Sequence, residues 1–285
     1  MKLFSPAKIN LYLKVVRRRP DGFHDLETVF ERLILGDDVT LHLIPSGIKL
    51  QTGTRRIPSG PKNLAWRAAS LLQERCGVKK GVRIRLKKRI PVSAGLGGGS
   101  SNAAAVLLGL NRLWDLRLSE KELLALGSEL GSDVPFFVLN TPFAAAKGRG
   151  EILRRLPSPK RKIWHCLVKP SFGISTKEAY EGLNPRALTP PGSDVKMLVH
   201  SIHKGDFRQF SKLLTNSLEV SLNKRVTTIS KIKNELLRQG AIASLMSGSG
   251  STVFGVFRTE REAGRAARAL KRNHKAWQVF VASTY

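Results

Sequence analysis

Apolar and polar positions alternate from the start of the chain. In SPAKINLYL, Ala7, Ile9, Leu11 and Leu13 share one face of an extended strand, and Lys8, Asn10 and Tyr12 share the other. Residues 7–16, 27–35 and 38–44 read as strands, and the Asp21-Gly22 turn makes their sheet antiparallel. A helical period over 62–76, a strand over 81–87 and a glycine-rich stretch lead to a second helix, Asn102–Trp114. Ser119 and Glu122 form a capping box ahead of Leu123, Leu124, Leu126 and Leu130, and Gly131 ends that helix. Two or three short strands are expected to about 156. Helices follow near 194–204, 206–214 and 225–239, then strands at 241–246 and 252–258, a helix at 260–273 and a strand at 276–282. The polar, proline-bearing LPSPKRK at 156–162 marks a boundary between domains 1–156 and 157–285. NPRALTPPGSD at 184–194 reads as a second linker. With no internal repeat, the pattern is that of an α+β protein rather than a solenoid.

Composition narrows the class. A chain of 285 residues, 41% hydrophobic, holds one large or two modest domains at roughly 150 residues each. Two cysteines, Cys76 and Cys166, cannot build a disulfide framework or a thiolate zinc site alone, which points to a reducing cytosol. The longest apolar runs, such as Ala103–Leu110, fall far short of the ~20 residues of a membrane-spanning helix. MKLFSPAKINLYLKV has the features of neither a signal nor a transit peptide, so a cytoplasmic location is expected, with no membrane partner. The 49 Lys and Arg against 21 Asp and Glu give a net charge of +28, which raises nucleic-acid binding as a lesser alternative. The basic residues lie in short scattered clusters, Arg17–Arg19, Lys87–Arg89 and Lys160–Lys162 among them, without a nucleic-acid-binding signature. Solvated surface and attraction of small polyanions account for them better.

The strongest chemical signal is PVSAGLGGGSSNAAAVLL, Pro91–Leu108. Gly95, Gly97, Gly98 and Gly99 let backbone amides approach a ligand, and the following helix points its unpaired N–H groups to the same place. Phosphate is the natural occupant, with Ser100 and Ser101 as hydroxyl partners for phosphate or Mg²⁺. The stretch is no Walker A loop, since no lysine follows until Lys121. It is no dinucleotide fingerprint, since Ser100 stands where glycine or alanine belongs. MSGSGSTVFGVF, Met246–Phe257, is a weaker glycine cluster that gains meaning only if it pairs with the first. Asp133 in GSDVPFF reads as a turn residue with Pro135 forcing an extended exit, and Lys8 alone as a surface lysine. His200 and His203 lack a third ligand, so no metal site is assigned.

In order along the chain, SPAKINLYLKV, DGFHDLETVF, PVSAGLGGGSSNAAAVL, GSDVPFF, AAAKGRGE and MSGSGSTVFGVF resemble the GHMP kinase superfamily, from residue 3 to about residue 260. The resemblance implies a two-domain α+β kinase, with a cleft between an N-terminal ATP-binding domain and a C-terminal α/β domain. PAKINLYL with DGFHDLETVF points to the member that phosphorylates the 2-hydroxyl of a cytidine diphosphate-linked methylerythritol in non-mevalonate isoprenoid synthesis. Another GHMP-type small-molecule kinase is the alternative. By the same resemblance Asp133 is the base for the acceptor hydroxyl, with Lys8 beside it. Asn10, Phe23, His24, Thr176 and Tyr180 bind the acceptor, with His24 reading the cytosine edge and Phe23 and Tyr180 flanking the ring. Pro91, Gly95, Leu96, Gly97, Gly98, Gly99, Ser100 and Ser101 cradle the ATP phosphates, and Asn63 and Lys88 lie near adenine. Ser247, Gly248, Ser249, Gly250 and Ser251 form a loop closing over the cleft. Mg²⁺ is carried by the nucleotide, and the partners are small molecules.

Overall fold

The computed structural model describes residues 1–54, 57–183, 194–221 and 225–285. Apart from Asp194, the predicted linker at 184–194 lies outside the described residues. Two long strands open the chain, β1 (Lys2–Arg18) and β2 (His24–Ile44). Gly36-Asp37 reads as a break between two strands, yet β2 runs straight through it. Gly36 lies against Phe4 and Ser5 with no room for a side chain, and the buried Asp37 carboxylate finds donors inside the protein, so neither residue needs a solvent-facing turn.

Contacts group the residues into two compact units that interleave along the sequence. The first is Met1–Ala7, Leu35–Ile90 and Gly97–Thr141; the second is Lys8–Ile34, Pro91–Leu96 and Pro142–Tyr285.

In the first unit, Asp38–Ile44 of β2 pairs antiparallel with β4 (Gly81–Lys87), whose other edge carries the unpredicted β3 (Ile48–Gln51) in parallel. Four helices accompany this sheet: α1 (Leu64–Cys76), α2 (Gly98–Leu113), α3 (Glu120–Leu130) and α4 (Val134–Val138). Small residues let α1 and α2 bury facing stripes, Ala65, Ala68, Ala69 and Leu72 on one and Ala103, Ala104, Val106, Leu107 and Leu110 on the other. The capping box of α3 forms in both directions, Glu122 N–H to Ser119 Oγ and Ser119 N–H to Glu122 Oε2. Pro135 does not force an extended exit from Asp133, as the sequence had suggested. It sits in the first turn of α4, where its missing N–H leaves no helical hydrogen bond unmade.

In the second unit, Thr28–Glu31 of β2 pairs with β5 (Phe143–Lys147), β5 with β6 (Ile152–Arg155), and β1 with the two-residue β8 (Thr215–Asn216). An antiparallel sheet of β7 (Trp164–Lys169), β9 (Ala243–Met246), β10 (Val253–Phe257) and β11 (Gln278–Ser283) runs in the order β11-β7-β10-β9. Its core joins Cys166, Val168, Val253 and Phe257 to Ile229, Ile232 and Leu236 of α8 (Val226–Arg238) and to Ala263, Ala266, Ala267 and Leu270 of α9 (Glu260–Asn273). Shorter helices α5 (Thr176–Glu181), α6 (Asp194–Lys204) and α7 (Phe207–Leu213) complete it, and α6 to α9 lie within two residues of their predicted bounds.

Candidate active site

The glycine-rich stretch becomes the start of α2. Gly97 is the N-cap residue at φ +68°, so Gly98, Gly99 and Ser100 form the first turn, four residues ahead of the predicted Asn102. The first bond of the helix is Ser101 N–H to the Gly97 carbonyl at 2.9 Å, and the preceding amides have no partner within the helix. No side chain caps this end. A Cβ on Gly98 would meet Ile90 at 3.0 Å and Lys88 Nζ at 3.3 Å. Gly99 is exposed and Ser100 half-buried.

Beneath this turn lies a buried polar network. Asp37 Oδ1 accepts the Arg89 and Ile90 amides at 2.7 and 2.9 Å. Its Oδ2 accepts from the Lys88 ammonium and from Asn102 Nδ2. Lys88 Nζ also donates to Asn102 Oδ1 at 2.9 Å, Asn102 Nδ2 to Ser5 Oγ at 2.8 Å, and the Ser5 hydroxyl to Ser101 Oγ at 2.8 Å. Ser5, Asp37 and Asn102 escaped the sequence reading. Only the position of Asn102, directly after the two serines of the glycine motif, was a usable signal. Asn63 is the N-cap of α1, its side-chain Oδ1 accepting Ala65 N–H at 2.9 Å and its Nδ2 donating to Pro58 O at 2.8 Å. Asp133 is half-buried at the N-cap position of α4, with no cap bond to that helix.

The second unit holds the other predicted residues. Lys8 is buried on the polar face of β1, and its ammonium donates to Asn10 Oδ1 at 2.7 Å and lies 5.3 Å from the centre of the Phe30 ring. Asn10 Nδ2 donates to Thr28 Oγ1, which donates to the Tyr12 carbonyl. The two glycine clusters do pair. Ser247 Oγ donates to the Gly95 carbonyl at 3.0 Å, Thr252 N–H to the Ala94 carbonyl at 3.2 Å, and Lys8 N–H to the Leu96 carbonyl at 3.0 Å. A Cβ on Gly95 would stand 2.1 Å from the Ser247 carbonyl oxygen, and one on Gly248 would stand 3.1 Å from Asn10 Oδ1 and 3.3 Å from Lys8 Nζ. Asn216 fixes the turn by donating to the Met246 and Gly248 carbonyls, and Ser251 Oγ donates to the Phe172 carbonyl. Pro91, half-buried, begins the stretch.

Phe23, His24, Thr176 and Tyr180 are more open. Phe23 is 54% exposed, with the Arg149 guanidinium 5.1 Å from its ring centre. Tyr180 meets His24, ring centres 5.2 Å apart and tilted by 30°. Thr176 and Ser249 hydroxyls are 3.4 Å apart. Phe23 is presented by a tight turn, with Arg19 N–H to Phe23 O and Phe23 N–H to Asp21 Oδ1, and Arg19 paired with both Asp21 and Asp25. Arg17 first and then Arg19 hold the Asp25 carboxyl below its ordinary range. Partial burial, and then the nearby Arg18, push the His24 imidazole below its usual pKa, so it is neutral at pH 7. Among the described residues no group of three or more His, Cys, Asp or Glu is placed to hold a metal ion, and no helix is long and apolar enough to cross a membrane.

Comparison with known proteins identifies the family. Residues 63–141 match the family model for the GHMP kinases N terminal domain, and residues 198–276 that for the GHMP kinases C terminal. The chain is 45% identical over 268 residues to a 4-diphosphocytidyl-2-C-methyl-D-erythritol kinase of Bacillus velezensis, covering 94% of this chain and 91% of that one. A crystal structure of 4-(cytidine 5'-diphospho)-2C-methyl-D-erythritol kinase superposes with a TM-score of 0.85 at 36% identity, covering 99% of this chain and 98% of the other. Homoserine kinase from Cytophaga hutchinsonii, at 21% identity, shares the fold, with a TM-score of 0.76 over 100% of this chain and 94% of its own. Fold and matched domains are those of a GHMP kinase, an ATP-dependent small-molecule phosphotransferase. Within that class the chain belongs to the 4-diphosphocytidyl-2-C-methyl-D-erythritol kinase family.

Proposed function

We propose that the chain transfers the γ-phosphoryl group of ATP to the 2-hydroxyl of 4-diphosphocytidyl-2-C-methyl-D-erythritol, giving the 2-phosphate and ADP, a step of non-mevalonate isoprenoid precursor synthesis in a bacterial cytoplasm. The observation that carries this reading is the near-full-length identity to 4-diphosphocytidyl-2-C-methyl-D-erythritol kinases.

The residues fit an anionic nucleotide. At Gly98 and Gly99 the backbone is bare, and the uncapped first turn of α2 offers amides and about half a positive charge to a triphosphate. Mg²⁺ would neutralise phosphate charge, held by the nucleotide's own oxygens. Asp133 takes the proton of the acceptor hydroxyl. Lys8, held in place by Asn10, stabilises the charge that develops on the transferring phosphoryl group. Phe23, His24 and Tyr180 bind the cytosine, the neutral imidazole meeting its polar edge, while Asn10 and Thr176 serve the rest of the acceptor. Asn63 sits on the nucleotide side. The Ser247–Ser251 turn covers the Lys8 ammonium from one side. Domains 1–156 and 157–285 each contain one of the two matched GHMP segments.

ADP release by the purified protein with Mg²⁺-ATP tests the proposal, using the cytidine-bearing alcohol, methylerythritol phosphate, homoserine and mevalonate in parallel. Turnover of the first alone is expected. Turnover of another alcohol would keep the kinase and remove the cytosine assignments. No turnover at all, with salt-dependent binding of DNA or RNA, would favour the basic-surface alternative.

A further inference from the structure

The network under α2 carries a charge arrangement that the proposed chemistry does not yet use. Asp37 is fully buried and its carboxylate accepts four donors, two backbone amides, the Lys88 ammonium and the Asn102 amide. That is its full acceptor capacity, so the carboxylate is satisfied entirely inside the protein. The ammonium it holds is 3.3 Å from the position of a Cβ on Gly98, the first residue of α2. A fixed cation therefore stands against the same helix end whose unpaired amides attract an anion, with its counter-ion behind it. The two amides accepted by Asp37, from Arg89 and Ile90, belong to the segment that enters the glycine-rich stretch. The Asn102 contact ties the same carboxylate to the body of α2.

We infer that Asp37 is a positioning residue for the phosphoryl donor: it fixes the Lys88 ammonium beneath the first turn of α2, so that Lys88 serves the phosphates of the nucleotide and not its base. The inference rests on the reading of the glycine turn as the ATP site. Lys88 and Asp37 together are neutral. Removing the ammonium alone leaves a buried carboxylate facing a polyanion, whereas removing both charges leaves a neutral network. The affinity order should therefore be wild type, then Lys88→Met with Asp37→Asn, then Lys88→Met alone. A role in folding only would make the double variant at least as damaged as the worse single one.

The test is calorimetric binding of ATP and of inorganic tripolyphosphate, which has no base, to the full chain and the variants. ADP release supplies KM and kcat, and thermal melting checks the fold. Lys88→Met should weaken both ligands by a similar factor, about 30-fold or more, as for truncating one partner of a buried charge pair, with KM for ATP changing more than kcat. Adding Asp37→Asn should recover most of that loss. Should Lys88→Met not fold, Lys88→Gln keeps an amide donor toward Asp37 and poses the same question. Unchanged affinities would overturn the inference, and so would a loss confined to ATP, which would assign Lys88 to the base. A double variant weaker than Lys88→Met would overturn it as well. If the wild-type protein binds both ligands but phosphorylates none of the alcohols, the proposed reaction fails while the binding series still judges Asp37.

Discussion

The two glycine-rich turns are held by different physics. The turn at Gly97, in the first unit, stands on charge: a buried carboxylate, an ammonium and a chain of amides and hydroxyls lie under a helix end. The turn at Ser247–Ser251, in the second unit, stands on neutral bonds, Asn216 to two carbonyls, Ser247 to Gly95 and Ser251 to Phe172. Glycine is needed here for space, since a Cβ on Gly248 would press on Asn10 and Lys8, and one on the facing Gly95 would strike the Ser247 carbonyl. On the proposed reading the Gly97 turn receives a triphosphate, a polyanion that gains from charge already in place. A turn that covers a buried lysine needs only close packing, and a second charge there would have to be neutralised in turn.

The largest test of this division is chemical. Asp133→Asn in the first unit should lower kcat by about 10²–10⁴-fold, the usual contribution of a positioned base, with ATP affinity within a few-fold of wild type. Steady-state rates and nucleotide binding check it, and activity close to wild type would remove Asp133 as the base.

Packing comes next. Gly95→Ala places a Cβ 2.1 Å from the Ser247 carbonyl, at φ +73°, and the turn must move. Gly97→Ala, at φ +68°, carries the left-handed cost of roughly 1–2 kcal/mol. Thermal unfolding should show Gly95→Ala as the more damaging of the pair, and equal losses would mean that the two glycine clusters do not depend on each other.

The exposed aromatics should matter less, and only for the acceptor. Tyr180→Ala and Phe23→Ala should each raise KM for the cytidine-bearing alcohol by about 5–150-fold, equivalent to 1–3 kcal/mol of stacking per base. KM for ATP should stay put. An unchanged acceptor KM in both variants would discard the clamp.

The smallest effect is in pH. His24 has a folded-state pKa below the ordinary 6.5 through burial and Arg18, so the unfolded chain binds this proton more tightly than the folded one. Its contribution to stability is complete above pH 6.5 and declines as pH falls from there through the lower folded value. Proton NMR of the imidazole should place its midpoint below 6.5, and a midpoint above it would contradict the partly buried setting.

Local features were legible in the sequence. The Ser119 and Glu122 box works because its partners are three residues apart, and helices such as 260–273 followed from a buried stripe of alanine and leucine at helical spacing. Pro135 was misjudged because proline is equally at home just past the end of one helix and in the first turn of the next. The pairing of the glycine clusters, Gly95 with Ser247, was open in sequence, since 152 residues separate them.

Strand and helix periods, capping residues and the order of the motifs belong to the sequence alone, because each depends on neighbours within a few positions. Only tertiary structure could decide that Asp37 accepts from Asn102, 65 residues away, or that Lys88 lies against Gly98. The same holds for the division of the glycine stretch, with Pro91–Leu96 in one compact unit and Gly97 onward in the other. A buried polar group takes whichever partner the fold brings within 3 Å, and no local pattern records that choice.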